Sequence, residues 1–405
     1  MIQEINLSNN QLLSIANDFK EKIETGLKTD NTEIKALPTY IHPKKKELKG
    51  EAVVFDLGGT NFRAAVVSVG RDIVIKEMVE KNITEMKISG YSQTDLYKSQ
   101  LEIIRKLNIP KGLPVGYCFS YPAKSLFNGD AELIKWVKGV SIEDMEGHAV
   151  GKPLIDYLNG NSDFDFGEIT VVNDTIASLF SGLMNTGFDA YVGLIVGTGT
   201  NMATFYPSGN ITKLKELENW TGETPVNLES GNFFPPHLSK YDDVVDQNSS
   251  SPGAQRFEKA VSGMYLGNVF REAVSDENSY RNLDAAGVTN MIKNPANYKK
   301  DHIELAYGIY ERSAKLVAAS LAGLIESLHK VNPSIKRIQI LAEGSLFWSE
   351  LNEGQPGYSK IVTGCLDELL SEVGLETKEV VFSKIANANL IGAAIAALSN
   401  QQILE

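Results

Sequence analysis

Two stretches of the sequence share one pattern and decide the fold that we expect. Residues 53–67 read VVFDLGGTNFRAAVV, an apolar strand, a glycine turn and a second apolar strand, and residues 192–206 repeat that pattern as VGLIVGTGTNMATFY. The Thr-Asn pairs of the two turns lie 140 residues apart. Recurrence of one unit predicts two related lobes that face each other. Strand-like and helix-like segments alternate around both stretches, as is typical of an α/β protein.

The two glycine turns are suited to phosphate. Backbone N–H groups can approach an oligoanion only where Cβ atoms do not interfere, so glycines gather at such turns. Asp56 ends an apolar strand, where a carboxylate can hold Mg²⁺ through water, and Arg63 can add a charged donor. We therefore predict nucleotide contacts at Asp56, Gly58, Gly59, Thr60, Asn61 and Arg63 in the first turn and at Gly197, Thr198, Gly199 and Thr200 in the second. The alternative for either turn alone is a glycine pair that merely closes a hairpin.

A third segment, 169-ITVVNDTIASL-179, places Asp174 directly after a β-branched run that is typical of a buried strand. Ligands of open α/β sheets bind at the carboxyl ends of the strands. Phosphoryl transfer to an alcohol needs a base at the hydroxyl, cations at the phosphoryl group and a site closed to water. Asp174 is the candidate base, and Mg²⁺ with Lys138 or Arg63 would supply the cations. The alternative role of Asp174 is to cap the helix expected over residues 175–184.

Composition narrows the class of protein. A chain of 405 residues is long enough for two domains, and its 42% hydrophobic and 22% charged residues are ordinary for a globular protein. The net charge of -12 argues against a nucleic-acid or anionic-membrane partner. Two cysteines, Cys118 and Cys365, are too few for a disulfide framework or a four-ligand zinc site. We expect both to be buried thiols.

Other segments predict the location of the protein and its terminal helices. The N-terminal residues MIQEINLSNN lack the features of a secretory signal, and the longest apolar runs fall short of a membrane span. We therefore expect a cytoplasmic protein. Residues 7–29 carry apolar side chains at helical spacing, which predicts an amphipathic helix capped by Ser8. The small apolar residues of 390–398 predict a C-terminal helix packed tightly on a sheet, and the sheet of the first lobe is the candidate.

Taken in order, these motifs resemble those of the hexokinase family. The similarity begins at 37-LPTYI-41 and continues through DLGGTNFR, 119-FSYPA-123, 136-WVKG-139, VVNDT, IVGTGTN, 227-NLESGNF-233 and 255-QRFEKAVSGMYLGNVFR-271. It persists more weakly at 341-LAEGSLF-347 and 392-GAAIAAL-398, and so covers nearly the whole chain.

The resemblance implies a two-lobed, actin-like (ribonuclease H-like) α/β fold. Each lobe would be a mixed sheet flanked by helices, with a cleft for the sugar between the lobes. The small lobe would comprise residues 52–173 and 388–405, and the large lobe residues 1–51 and 174–387.

The resemblance also assigns site residues by position. It implies hexose contacts by Ser120, Lys138, Asn173, Asp174, Asn201, Glu229, Gln255 and Glu258, catalysis by Asp174 and Lys138, and nucleotide contacts by Gly344 and Ser345. Amide and carboxylate side chains suit hexose hydroxyls, which both donate and accept hydrogen bonds. The chain departs from the family pattern in the sugar region at Val137, Ser230 and Asn232, and in the nucleotide region at Glu343 and within residues 383–394.

The implied reaction is transfer of the ATP γ-phosphate to the 6-hydroxyl of glucose or a related hexose (EC 2.7.1.1), the first reaction of glycolysis. Its partners would be a hexose and MgATP, with the protein a monomer or a homodimer. One alternative is a kinase for another sugar, such as mannose, fructose or an amino sugar. Another is a non-catalytic sugar sensor on the same fold.

Overall fold

The structure is a computed structural model of the chain. It describes residues 2–43, 48–137, 139–214, 220, 222–274 and 280–404, with residues 401–404 described by their backbone alone. Among these residues, no helix is both long and apolar enough to cross a membrane. Both cysteines are buried, as predicted.

The strands of the described residues are numbered in chain order. They are β1 (Leu37–Pro38), β2 (Gly50–Leu57), β3 (Asn61–Val69), β4 (Ile73–Asn82), β5 (Val115–Phe119), β6 (Ala123–Ser125), β7 (Ala131–Leu133), β8 (Ile169–Val172), β9 (Ala190–Val196), β10 (Thr200–Pro207), β11 (Glu223–Asn227), β12 (Arg337–Glu343) and β13 (Glu379–Ser383).

The α-helices are numbered in the same way. They are α1 (Ile2–Ile5), α2 (Asn9–Gly26), α3 (Gln93–Ile104), α4 (Lys152–Gly160), α5 (Asp174–Gly182), α6 (Lys240–Gln247), α7 (Arg256–Val261), α8 (Leu266–Val274), α9 (Ala285–Lys293), α10 (Lys300–Val331), α11 (Tyr358–Glu372) and α12 (Ala388–Leu404).

The two main sheets repeat one topology. The first has the strand order β4-β3-β2-β5-β8, and the second has the order β1-β11-β10-β9-β12-β13. In each sheet, three strands joined as antiparallel hairpins are followed by two parallel strands. The hairpin β2–β3 carries the first glycine turn and β9–β10 carries the second. The duplication predicted from the two stretches is therefore confirmed, with β1 as an additional edge strand of the second sheet.

Two helices cross between the sheets. Helix α5 follows the last strand of the first sheet but packs on β9, β10 and β12 of the second, whereas α12 follows β13 and packs on β2, β5 and β8 of the first. The two helices also contact each other, and their apolar side chains share one buried cluster with residues of both sheets. Helix α12 therefore returns to the first sheet, where its small residues permit close packing.

The N-terminal helix has the predicted start. Ser8 is the N-cap of α2 and forms a capping box with Gln11, so that two backbone donors are satisfied reciprocally. The apolar stripe of α2 is buried against α10, the long helix at the centre of the largest core cluster. The helix ends at Gly26, three residues earlier than the apolar periodicity suggested.

An aromatic contact connects the two halves of the molecule. Tyr40 follows β1 of the second sheet, and its ring centroid lies 4.1 Å from that of Phe127, in the turn between β6 and β7. The same tyrosine meets Trp220, which precedes β11, edge to face at 5.5 Å. The segment after β1 thus packs on both halves before the chain enters β2.

Candidate active site

The first glycine turn joins β2 to β3 and leaves its tip open. The Gly58 N–H donates to the Asn61 carbonyl at 3.0 Å, which closes the turn. The Thr60 carbonyl accepts from the Ile83 N–H at 2.8 Å, which fixes the turn to the segment after β4. Thr60 is exposed, and Gly58 and Gly59 are half-buried. The Asn61 amide donates to Glu80 Oε1 at 2.8 Å, so in this structure it braces the neighbouring strand.

Asp56 and Arg63 face each other across β2 and β3. Arg63 Nε donates to Asp56 Oδ2 at 2.8 Å, Nη2 donates to the same oxygen, and Nη1 donates to Asn387 Oδ1 at 3.3 Å. Burial raises the pKa of Asp56, whose exposed fraction is only 6%, while the Arg63 charge opposes that shift. Asp56, predicted to hold Mg²⁺, and Arg63, predicted to contact phosphate, thus form an ion pair below the first glycine turn.

The second glycine turn packs on two other turns. Its Gly197 carbonyl accepts from the Gly263 N–H at 2.7 Å. Gly344, with φ of 110°, lies so close to Val196 that a Cβ atom there would clash with the Val196 carbonyl. Thr198 and Ser345 are both exposed beside this packing, whereas the Thr200 hydroxyl turns inward and donates to the Ile195 carbonyl at 2.9 Å. Residues 344 and 345, predicted by resemblance alone, therefore lie against the second turn.

Asp174 is the first residue of α5, directly after strand β8. The N-cap of the helix is Asn173, whose Oδ1 accepts from the Thr175 N–H at 2.9 Å. Asp174 Oδ1 accepts from the same N–H at 2.8 Å and its side chain is half-buried. The capping role considered for Asp174 thus belongs to Asn173, because the helix begins at Asp174, one residue earlier than the expected start at residue 175.

Acidic side chains converge around Asp174. The pKa of Glu343, the last residue of β12, is raised to about 7, chiefly by burial and in smaller part by the charges of Asp174 and Asp56. Arg63 and Lys384 act on the same carboxyl in the opposite direction. Asp174 therefore interacts electrostatically both with Asp56 of β2, which precedes the first glycine turn, and with Glu343 at the end of β12.

The raised pKa of Glu343 predicts how stability depends on pH. Because the folded chain binds this proton more tightly than the unfolded chain does, the free energy of unfolding falls as pH rises from the ordinary 4.5 to about 7. Glu343→Gln removes the charge, so we expect it to stabilise the protein at pH 8 by about 1–3 kcal/mol. Thermal unfolding at pH 5 and pH 8 measures this, with equal Tm values expected at pH 5. A constant Tm difference between variant and wild type at both pH values would contradict it.

The predicted sugar residues of the second half form a hydrogen-bonded chain. Asn201 Nδ2 donates to Asn227 Oδ1 at 2.8 Å, and Asn227 Nδ2 donates to Glu229 Oε1 at 2.8 Å. Asn201 Oδ1 in turn accepts from the Ser230 N–H at 3.1 Å. The carboxylate of Glu229 is thereby oriented by a buried amide that we did not predict, although Asn227 opens the quoted motif NLESGNF.

Glu258 connects the sugar region to the second glycine turn. Its Oε2 accepts from the Thr200 N–H at 3.1 Å, and it lies 2.6 Å from where a Cβ atom on Gly199 would be. A Cβ atom at position 199 would therefore displace this carboxylate from the Thr200 N–H. Glu229 and Gln255 both have φ of 53°, a left-handed conformation that side-chain-bearing residues rarely adopt. Such conformations cluster at functional sites.

The first half contributes the remaining predicted residues. Ser120 follows β5, is 9% exposed, and its N–H donates to the Leu57 carbonyl at 3.1 Å. Asn173 lines a small cavity together with Thr39 and Asn227, so side chains from both halves meet there. Lys138 lies outside the described residues, and its roles remain predictions.

Comparisons with known proteins agree with this arrangement. Two hexokinase family models match the chain, one over residues 1–184 and the other over residues 191–303 and 302–399. Hexokinase-2 of Solanum tuberosum is 29% identical over 98% of this chain and 89% of its own length. Hexokinase-2 of Homo sapiens is 32% identical over 68% of this chain, which corresponds to 31% of the human protein.

A solved structure shares the fold. The hexokinase of Schistosoma mansoni, determined in complex with glucose, superimposes with a TM-score of 0.80 at 24% identity, covering 98% of this chain and 97% of that one. The fold is thus the two-lobed, actin-like α/β fold implied by the motifs. Because family models match both halves of the chain, it belongs to the hexokinase family.

Proposed function

We propose that this sugar kinase transfers the γ-phosphate of ATP to the 6-hydroxyl of glucose or a close relative. The observation that supports this most is the position of Asp174. It lies next to the sugar-region residue Asn173 and is close enough to Asp56 and Glu343, beside the two glycine turns, to perturb both carboxyls. A base for a sugar hydroxyl has to stand between the acceptor and the phosphate.

In the proposed reaction, a carboxylate oxygen of Asp174 takes the proton of the 6-hydroxyl as the sugar oxygen attacks the γ-phosphorus. The bond from that phosphorus to the β,γ-bridging oxygen breaks, and ADP leaves. Asn173, as N-cap of α5, orients the backbone that carries Asp174. Lys138 would steady the developing negative charge, as the family resemblance implies.

The hexose would be recognised by the chain of amide and carboxylate groups that includes Asn201, Asn227 and Glu229, together with Ser120, Asn173, Gln255 and Glu258. A buried polar group that loses its partner is destabilised by about 1–3 kcal/mol, so a sugar lacking one hydroxyl would bind more weakly. Ser230 donates its backbone N–H to Asn201 of this hydrogen-bonded group, and its side chain is fully buried. Members of the family usually have tryptophan at this position. The side-chain volume at position 230 is therefore our candidate determinant of sugar preference.

The nucleotide would lie across both glycine turns, with Mg²⁺ on its phosphates. The donor chemistry fits such an ion, because Asp56 carries a hard carboxylate whose Oδ2 is held by Arg63 near the end of β2. When bound, Mg²⁺ supplies neutralisation of charge on the transferred phosphoryl group. The chain would contribute the backbone N–H groups of Gly59 and Gly199 and the exposed hydroxyls of Thr60, Thr198 and Ser345. The N–H groups of Gly58 and Gly197 donate within their own turns, to the carbonyls of Asn61 and Gly199, so these two glycines would serve by leaving room for the phosphates.

The lobes in this proposal are residues 52–173 with 388–405, and residues 1–51 with 174–387. The exchange of α5 and α12 between the sheets supports these boundaries, since each helix packs on the sheet of the opposite half. The same two helices would then be the hinge about which the lobes close over the sugar. Closure excludes water, which otherwise competes with the sugar as phosphate acceptor.

A coupled assay of turnover with ATP across glucose, mannose, fructose and glucosamine tests the proposal. We expect the highest kcat/KM with glucose. Preference for another sugar would change the assigned substrate but not the family. The variant Ser230→Trp would then test whether the side-chain volume at position 230 causes that preference. Sugar binding without turnover of any hexose would contradict the proposal and indicate a sensor.

A further inference from the structure

Helix α6 carries two buried carboxylates one turn apart that bind different partners. Asp242 pairs with Arg312 of α10, with Nη1–Oδ2 and Nη2–Oδ1 distances of 2.5 and 2.8 Å. Asp246 pairs with Lys259 of α7, with an Nζ–Oδ1 distance of 2.6 Å. The four side chains are at most 6% exposed. Both pairs are buried, but Lys259 directly follows Glu258, a predicted sugar residue, whereas Arg312 lies on α10, which carries none.

The Asp246–Lys259 pair organises the loop between α6 and α7. Both carboxylate oxygens of Asp246 accept from the Gly253 N–H, at 3.1 and 2.9 Å. Lys259 Nζ donates to the Ser251 carbonyl at 2.7 Å, and Arg256 Nη1 donates to Asp246 Oδ2 at 3.1 Å. Residues 248–255 thus fold around the buried carboxylate of Asp246 and its two cationic partners, Lys259 and Arg256.

This loop ends at two residues that we assign to the sugar. Gln255 is the N-cap of α7 in a left-handed conformation, and its carbonyl accepts from the Lys259 N–H at 3.0 Å. Glu258 lies in the same first turn and reaches the Thr200 N–H. A left-handed conformation of a residue other than glycine is less stable by about 1–2 kcal/mol, so its surroundings have to impose it.

We propose that Asp246 and Lys259 are positioning residues, whose ion pair holds the 248–255 loop so that Gln255 and Glu258 face the hexose. The inference rests on the proposed function. A buried ion pair is weak support for stability as such, because desolvation offsets its attraction. It does specify geometry, since each of its charged groups requires particular partners. Here those partners are the backbone of the loop and the first turn of α7.

The test uses the same substitution at two sites of one helix. Asp246→Asn in the full chain is expected to raise the Kd for glucose, measured by calorimetry without nucleotide, and the KM for glucose about tenfold, as for loss of one charge-assisted hydrogen bond. The kcat and the KM for ATP should change by less than about threefold. Asp242→Asn is the matched control, expected to lower Tm while leaving the Kd and KM for glucose unchanged. All assays are run well below the lowest Tm.

Amide hydrogen exchange supplies a readout that does not depend on activity. We expect Asp246→Asn, and not Asp242→Asn, to accelerate exchange in residues 249–258. If Asp246→Asn does not fold, Lys259→Arg keeps the charge while displacing the Ser251 contact, and should give a smaller, equally selective rise in the KM for glucose.

Three outcomes are decisive. Unchanged glucose affinity in a folded Asp246→Asn, or an equal rise in both variants, would overturn the positioning role. Absence of hexose binding by the wild-type chain would instead overturn the proposed function. Selective loss of glucose affinity with accelerated loop exchange would support the inference.

Discussion

Replacement of Asp174 by alanine is expected to lower kcat by about 10²–10⁴-fold, the usual contribution of a positioned general base. The variant should fold normally, because the cap of α5 is supplied by Asn173 and not by Asp174. It should also still bind glucose, since the amide and carboxylate chain around Asn227 is untouched. Turnover in the coupled assay, glucose affinity by calorimetry and Tm together measure the three parts of this prediction.

A matched control comes from the start of another helix. Asp301 lies in the first turn of α10, and its Oδ1 accepts from the N–H of the next residue, His302, at 3.0 Å, as Asp174 does from Thr175. Asp301 is exposed, and α10 carries none of the predicted site residues. Asp301→Ala should therefore leave kcat unchanged and alter Tm as little as Asp174→Ala does. Near-normal kcat in Asp174→Ala would rule out its role as the base.

The parts of the fold that could be predicted depend on neighbours in sequence. The repeated hairpins rest on a short pattern of apolar residues and glycines, and the start of α2 rests on Ser8 and Gln11, three positions apart. Helix and hairpin signals of this kind act within a few residues. The exchange of α5 and α12 between the sheets was only partly predictable, because it is a property of how two distant segments pack.

The same distinction applies to the site. Asp174 and the glycine turns carry local signals, a carboxylate after a strand and glycines between strands. The bridge by Asn227, the burial of Glu343 among other carboxyls, and the pairing of Arg63 with Asp56 all arise from strands that meet across a sheet or across the cleft. Sequence alone did not reveal that Arg63 is engaged by Asp56 and Asn387, because any of several acceptors was compatible with its position.

Replacement of Gly392 by alanine is expected to destabilise the protein strongly, by about 1–3 kcal/mol or more, as for overpacking in a core. Gly392 lies in α12, where a methyl group would clash with the Ala177 carbonyl of α5. The two crossing helices would have to move apart to accommodate it. The matched control is Gly364→Ala in α11, where a methyl group would meet no atom within 4 Å. That change should stabilise the protein by about 0.5–1 kcal/mol, through helix propensity alone.

Denaturant unfolding of the two glycine variants compares packing with propensity in the same kind of element. Gly392→Ala should lower the denaturant concentration at the midpoint of unfolding. If α5 and α12 are also the hinge between the lobes, the folded fraction of this variant should in addition show a raised KM for glucose, because closure of the lobes depends on the contact between the two helices. Equal stability of the two variants would show that the helices can separate without loss of packing. In that case, the close approach of the two helices would not determine how the two sheets are placed relative to each other.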